Sequence, residues 1–186
     1  MTAGNVTEQG IFKFFANDIG LDGIIKFKDQ LKEENILQVV PFSSKRKRGS
    51  IVVRNPNLEG SKGEVRVYCK GAPDFFLMDA DPNSDVVYPE MTFVQSEAGE
   101  HSLEDTADVP GELMNDGGPG TDTMINIYKR TVTYFAKKAF RTILVTYRDM
   151  TMDEYETMKA ENNDFEKPED RDCLEKELVA VGIFGL

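Results

Sequence analysis

Residues 36–71, ILQVVPFSSKRKRGSIVVRNPNLEGSKGEVRVYCKG, contain three short runs typical of β-strands, at about 36–42, 50–54 and 64–70. In the third run, apolar side chains alternate with other residues, which is the period of a strand that buries one face. The connection between the second and third runs is rich in turn formers and too long for a two-residue hairpin, so it is expected to be a surface loop. The pattern predicts three antiparallel strands.

Helical spacing of apolar residues predicts further elements around these strands. We expect a helix at about 7–19 and a stronger helix at about 122–139, followed by a strand at 141–147. The other expected elements are a short helix or turn at 24–31, a short helix at 72–79, a polar helix at 152–161 and a strand at 178–184. The predicted fold class is α+β, a mainly antiparallel twisted sheet flanked by helices.

Size and composition favour a single domain over residues 1–186, since 186 residues with 40% hydrophobic content can bury one substantial core. The net charge of −11 argues against nucleic acid or an anionic membrane as the main partner.

The longest apolar stretch, 178–186, is far shorter than the roughly 20 residues that cross a bilayer. Because it ends the chain in mid-strand, we expect a domain excised from a longer protein. Two cysteines without a disulfide pattern fit the cytosol.

An acidic segment at about 80–120 interrupts the predicted elements. It contains no Lys or Arg, shows little periodicity and is rich in Pro, Gly, Asp and Glu, so we expect a mobile insertion. Within it, DADPNSDVVYPE at 79–90 spaces its oxygen side chains like a calcium-binding EF-hand loop. Ser84 replaces the glycine that this loop requires, and Pro82 and Pro89 restrict the backbone, so we interpret the segment as a solvated acidic loop.

Two segments suggest a nucleotide site. Phe42 precedes the basic run at 45–48, and Lys70 with Gly71 closes the next predicted strand. An aromatic ring can stack on a base while cations meet phosphates, and this pairing points to ATP. Alone, Phe42 could be a core residue beside a solvated turn, and Lys70 could be a surface charge.

Four ordered motifs resemble a known family: GNVTE at 4–8, PFSSKRKRGS at 41–50, KGAPD at 70–74 and FRTILVTYRD at 140–149. Together they resemble the nucleotide-binding (N) domain of P-type cation-transporting ATPases, most closely the calcium pumps. The closing segment VAVGIFGL at 179–186 resembles the corresponding strand of plasma-membrane-type calcium pumps. The resemblance covers nearly the whole chain, and the acidic stretch matches least.

The resemblance implies roles for nine residues. Phe42 would stack on adenine, Glu8 would contact the adenine amine, and Arg141 would reach the ribose and phosphates. Lys47 and Lys70 would line the pocket, and Ile143 would supply apolar contact beside the base. The wall of the pocket would include Thr7, Gly71 and Ala72.

Two departures from the family pattern concern the expected site. Ser44 stands where sarcoplasmic-reticulum calcium pumps carry an arginine that aids phosphate binding, so we expect lower phosphate affinity. Gly49 stands where relatives often carry methionine, so the site would lack an apolar wall there.

The family mechanism implied by the resemblance uses this domain to hold ATP, with Mg²⁺, for phosphoryl transfer to an aspartate in a separate domain. The chain lacks DKTGT, TGE and GDGxND motifs, so we expect no catalytic residue, no metal ligand and no efficient hydrolysis by this chain alone. The implied partners are ATP and the phosphorylation and actuator domains of the parent pump, on the cytosolic side of a membrane that this domain does not contact. The alternative function is a non-catalytic protein-interaction module that acts through the acidic insertion.

Overall fold

The structure is a computed structural model and describes residues 6–30, 32–77, 86–87 and 124–186. The expected insertion at about 80–120 and the EF-hand-like segment at 79–90 lie outside these residues, apart from 86–87.

The fold is built on one sheet with the strand order β1–β2–β3–β5–β6–β4. Its strands are β1 Ile36–Ser43, β2 Arg48–Arg54, β3 Val65–Gly71, β4 Val86–Val87, β5 Thr142–Met150 and β6 Leu178–Gly185. Strands β1, β2, β3, β5 and β6 pair antiparallel, and the two-residue β4 pairs parallel with β6. The predicted α+β class and its mainly antiparallel sheet are confirmed. The sequence did not predict β4.

Four α-helices accompany the sheet in the described ranges: α1 Val6–Gln30, α2 Asp74–Leu77, α3 Met124–Lys137 and α4 Met152–Glu161. Gly20 interrupts α1 with non-helical dihedral angles, φ 73° and ψ 162°. This break separates the predicted first helix from the less regular apolar group after it.

At the start of α4, the Thr151 hydroxyl accepts from the Glu154 amide while the Glu154 carboxylate accepts from the Thr151 amide. This capping box explains why the helix begins there.

The two faces of the sheet have different environments. Val65, Val67 and Cys69 of β3 are buried, whereas the alternating Tyr68 and Lys70 are exposed. We call the first side the core face and the second the open face. The core face packs against α2, α3, α4 and the short 3₁₀ helices at 163–165 and 169–175, through Phe76, Val132, Tyr155, Phe165 and Leu174. Residues of α1 border the open face.

The helices that the structure describes include none that is both long enough and apolar enough to span a membrane.

We predict that Leu144→Ala lowers the free energy of unfolding by about 3 kcal/mol, because truncating a buried leucine removes apolar contacts and leaves a cavity. Leu144, the third residue of β5, is 0% exposed. Leu58→Ala is the matched control, since Leu58 is 42% exposed, and it should change stability by less than about 0.5 kcal/mol. Urea unfolding of both variants measures the difference. Equal effects would contradict the assignment of the core face.

Candidate functional site

The sequence-predicted site residues lie at one edge of the sheet. In an antiparallel sheet, alternate strands end at the same edge. The ends of β1 and β3 therefore meet the starts of β2 and β5, near residues 43, 48, 71 and 142. This topology brings together segments that are separated by about 100 residues of sequence.

A cavity of about 460 Å³ lies at this edge, bordered by the first turn of α1. All nine residues that the resemblance implied line it: Thr7, Glu8, Phe42, Lys47, Lys70, Gly71, Ala72, Arg141 and Ile143. Ile11 and Thr142 complete the lining. We call this space the edge cavity. Its volume lies in the range of small-molecule sites in proteins.

Gly71 allows β3 to approach the turn between β1 and β2 closely. A Cβ atom at Gly71 would lie 2.6 Å from the Lys47 carbonyl oxygen and 2.6 Å from Arg48 Cβ, distances too short for any side chain. The Ala72 amide donates to the Lys47 carbonyl at 3.0 Å, and the Lys47 amide donates to the Ser43 carbonyl at 2.7 Å. Lys47 itself has a left-handed φ of 55°. These contacts fix the two motifs against each other.

Gly49 has a packing role instead of lining the edge cavity. A Cβ atom there would lie 2.9 Å from the Phe42 backbone nitrogen and 3.1 Å from Phe42 Cα. The pairing of β1 with β2 is irregular between Val40 and Ser43, where the backbone of Phe42 passes over Gly49. Gly49 also lines an apolar cavity between α1 and the open face, so the expected lack of an apolar wall at this position stays a prediction. The glycine admits Phe42, whose side chain is 64% exposed.

Polar contacts tie the first turn of α1 to the sheet across the edge cavity. Lys70 Nζ donates to Glu8 Oε1 at 2.8 Å. Arg141 Nη1 donates to Thr7 Oγ1 at 3.5 Å, the limit of a hydrogen bond. Both contacts are exposed, so each stabilises the fold only slightly. They nevertheless place Glu8 beside Lys70 of β3, and Thr7 beside Arg141, which directly precedes β5.

A second, more apolar cavity of about 690 Å³ adjoins the edge cavity between α1 and the open face. The two cavities share Glu8, Ile11, Phe42 and Lys70, and the second is also lined by aromatic and aliphatic residues that include Phe12, Phe15, Ile51, Tyr68, Val145 and Phe184. Phe42 therefore borders both a charged space and an apolar one.

Of the four cations in the basic run at 45–48, only Lys47 lines the edge cavity, and the two arginines bind a buried carboxylate instead. Arg46 Nη1 and Arg48 Nε both donate to Glu175 Oε2, the latter at 2.7 Å. The Ser50 hydroxyl donates to Glu175 Oε1 at 2.5 Å. The Glu175 side chain is completely buried. The run is thus divided between arginines that bind this carboxylate and Lys47, which lines the edge cavity.

Sequence reasoning missed Glu175. The residue ends a charged 3₁₀ helix, Glu169–Glu175, and about 125 residues separate it from Ser50. Burial of Glu175 acts to raise the pKa of its carboxyl group. Hydrogen bonds from Arg46, Ser50 and Arg48 together outweigh that penalty, so the pKa of Glu175 lies below its ordinary value.

Comparisons with known proteins identify similar sequences. Residues 1–81 match the family model described as P-type ATPase, cytoplasmic domain N. The chain is 25% identical over 183 residues to calcium-transporting ATPase 5, plasma membrane-type, of Oryza sativa subsp. japonica. The aligned region covers 98% of this chain and 13% of that protein. It is 27% identical over 147 residues to calcium-transporting ATPase 4, plasma membrane-type, of Arabidopsis thaliana, covering 79% of this chain and 11% of that protein.

These matches confirm the resemblance to the N domain of P-type cation-transporting ATPases and to plasma-membrane-type calcium pumps. The chain spans 13% and 11% of the lengths of these two relatives. Seven of the nine implied residues lie within the matched range 1–81, and Arg141 and Ile143 lie beyond it.

We predict that Gly71→Ala lowers the free energy of unfolding by about 1–3 kcal/mol, because the new methyl group overlaps the Lys47 carbonyl and must displace backbone. Gly182→Ala in β6 is the matched control, since no atom lies within 4 Å of its would-be Cβ. Urea unfolding measures stability, and amide NMR spectra report the backbone at Lys47. A Gly71 variant as stable as the Gly182 variant would contradict the close approach.

We predict that Glu175→Gln lowers the free energy of unfolding by about 1–3 kcal/mol at pH 7, because arginines that bind the carboxylate lose a charged acceptor. A carboxyl whose folded pKa is lowered stabilises the fold above its unfolded pKa, near 4.5, and this contribution is lost as the pH falls through the folded pKa. The difference between the parent chain and the variant should therefore shrink below about pH 4.5. Chemical denaturation at pH 7, 5, 4 and 3 measures it, and a constant difference would refute the assignment.

Proposed function

We propose that this chain is the ATP-binding domain of a P-type calcium-transporting ATPase, located on the cytosolic side of a membrane. One observation carries the proposal: nine residues implied by four separate sequence motifs line a single cavity. The family match over 1–81 and the names of the relatives support it.

The apolar part of the edge cavity suits a purine. Phe42 presents an exposed ring, and stacking a base on an aromatic side chain contributes about 1–3 kcal/mol. Ile11 and Ile143 supply apolar contact beside that ring. Glu8 would accept a hydrogen bond from the exocyclic amine of adenine. Its pairing with Lys70 leaves acceptor capacity, because a carboxylate has about four lone-pair sites.

The charged part of the edge cavity suits phosphates. Three cations, Lys47, Lys70 and Arg141, and one carboxylate, Glu8, are among its lining residues, although the chain as a whole carries a net charge of −11. A local excess of cations in an acidic protein favours an anionic ligand. Ser44 is not among the lining residues. The lower phosphate affinity expected from a serine at this position stays a prediction.

Magnesium would accompany the nucleotide. The described residues contain no group of three or more His, Cys, Asp or Glu side chains that could hold a metal ion. In the edge cavity, the carboxylate of Glu8 already lies 2.8 Å from Lys70 Nζ. Phosphate oxygens of the nucleotide would therefore supply the main ligands, as is usual for Mg²⁺.

The contribution of the domain to phosphoryl transfer would be to bind and orient ATP. None of the described residues that line the edge cavity is an aspartate. As the family resemblance implies, the acceptor of the terminal phosphate would be an aspartate in the phosphorylation domain of the parent pump. Domain closure would bring the two groups together, and such proximity can account for a large part of a rate enhancement. The actuator domain would be the other intramolecular partner, and residues 1–186 would form one nucleotide-binding domain.

We predict that ATP binds to the free chain and that Phe42→Ala weakens binding by roughly 5- to 100-fold, because it removes the stacking surface. Phe75→Ala is the matched control, since Phe75 is 50% exposed in α2 and does not line the edge cavity. Isothermal titration with ATP, with and without Mg²⁺, measures affinity, and amide NMR maps the site.

Amide shifts centred on Phe42, Lys70 and Arg141 that weaken in the Phe42 variant would support the proposal. ATP-induced shifts confined to residues 80–120, or no shifts, would instead favour the protein-interaction module.

A further inference from the structure

We propose that Glu175 is a positioning residue for the edge cavity: it binds the two arginines that flank Lys47 and thereby sets the geometry of the nucleotide site without touching the nucleotide. This inference rests on the proposed ATP-binding function. It assigns a role in binding to a residue of the core face that no motif indicated.

The first step is the burial of the carboxylate. Glu175 follows Leu174, which is fully buried in the core, and this packing holds the end of the 3₁₀ helix beneath the sheet. A buried carboxylate requires partners for its charge and lone pairs. Arg46, Arg48 and Ser50 are those partners, and all three belong to the turn between β1 and β2 or to β2 itself.

The second step links Glu175 to Phe42. Besides binding Glu175, Arg46 donates from Nη2 to the Pro41 carbonyl oxygen at 2.7 Å. Pro41 immediately precedes Phe42, at the irregularity in the pairing of β1 with β2. One guanidinium group therefore joins the buried carboxylate to the backbone that carries the proposed stacking ring.

The third step links Glu175 to the end of β3. Arg48 binds Glu175. A Cβ atom added at Gly71 would lie only 2.6 Å from the Cβ of Arg48. The guanidinium carbon of Arg48 also lies 5.8 Å from the centroid of the Phe76 ring, just after the KGAPD motif. The arginine is thus held from two sides beside the strand end that carries Lys70.

The fourth step concerns Lys47. Four consecutive cations at 45–48 repel one another, and a left-handed φ at Lys47 is unfavourable for a residue with a side chain. Glu175 neutralises part of this repulsion and anchors the residues on both sides of Lys47. With both neighbours held at the core face, Lys47 is left to line the edge cavity.

Glu64 provides a matched control in the connection between β2 and β3. It is also a buried carboxylate, 3% exposed, and accepts hydrogen bonds from Arg54 Nε and Nη2 at 3.0 and 2.8 Å and from the Gly60 amide at 2.8 Å. It lies at the opposite edge of the sheet, where β2 ends and β3 begins. Loss of its charge should destabilise the fold without disturbing the edge cavity.

The experiment compares Glu175→Gln with Glu64→Gln by titration with ATP at pH 7 and by amide NMR of the free chain. We expect Glu175→Gln to weaken ATP binding by about 10-fold and to shift the Phe42, Lys47 and Ala72 amides before ATP is added. Glu64→Gln should leave ATP affinity within twofold of the parent chain and leave those amides unchanged. Unchanged affinity in the Glu175 variant, or equal loss in both variants, would overturn the inference.

Arg46→Gln removes the arginine side of the contact between Arg46 and Glu175. It replaces Glu175→Gln in the experiment if the Glu175 variant does not fold. Because both changes break the contact between Arg46 and Glu175, the loss of ATP affinity in the double variant should be smaller than the sum of the two single losses. Additive losses would overturn the inference.

If the parent chain binds no ATP, the proposed function fails and the amide shifts of the free variants alone decide the positioning role. Shifts at Lys47 and Ala72 in Glu175→Gln but not in Glu64→Gln would support it, and their absence would refute it.

Discussion

The close approach of Gly71 to the turn at Lys47 and Arg48 is the constraint on which the site depends. Only a glycine fits at that point, and the hydrogen bond from the Ala72 amide to the Lys47 carbonyl closes the contact. Without it, the motif that contains Phe42 and the motif that contains Lys70 would be two neighbouring strand ends. With it, they form adjacent walls of one cavity.

Buried charge then influences which cations line the edge cavity. Glu175 binds Arg46 and Arg48 on the core side, while Lys47, Lys70 and Arg141 line the edge cavity. A run of four basic residues therefore does not act as one electrostatic patch. The core of the protein and the proposed nucleotide site are built from alternate residues of the same turn, so that stability and binding are coupled through it.

Much of the fold follows from local sequence patterns. Period-two alternation predicted β3, and the polar helix expected at 152–161 has the bounds that α4 shows in the structure. The two-residue β4 could not be predicted, since Val86 and Val87 form a strand only through their parallel pairing with Leu178 and Val179. The break in α1 at Gly20 lies where the helix expected at about 7–19 ends, before the less regular apolar group that follows it.

The residues of the candidate site were likewise only partly predictable from the sequence. Its nine residues could be named in advance because the family resemblance supplied them, whereas composition and spacing alone left Phe42 and Lys70 ambiguous. Glu175 was missed, and the packing role of Gly49 was not predicted, for a different reason. The role of Glu175 depends on a contact across about 125 residues of sequence, and that of Gly49 depends on a local irregularity in strand pairing. Neither leaves a trace in the pattern of neighbouring residues.

Hydrogen exchange at the Ala72 amide tests the central claim most directly, because that amide closes the contact between the two motifs. If the site is assembled in the free chain, this amide should be protected to within about 1–2 kcal/mol of the Val67 amide in the middle of β3. Exchange at the rate of an unstructured peptide, with Val67 still protected, would contradict it.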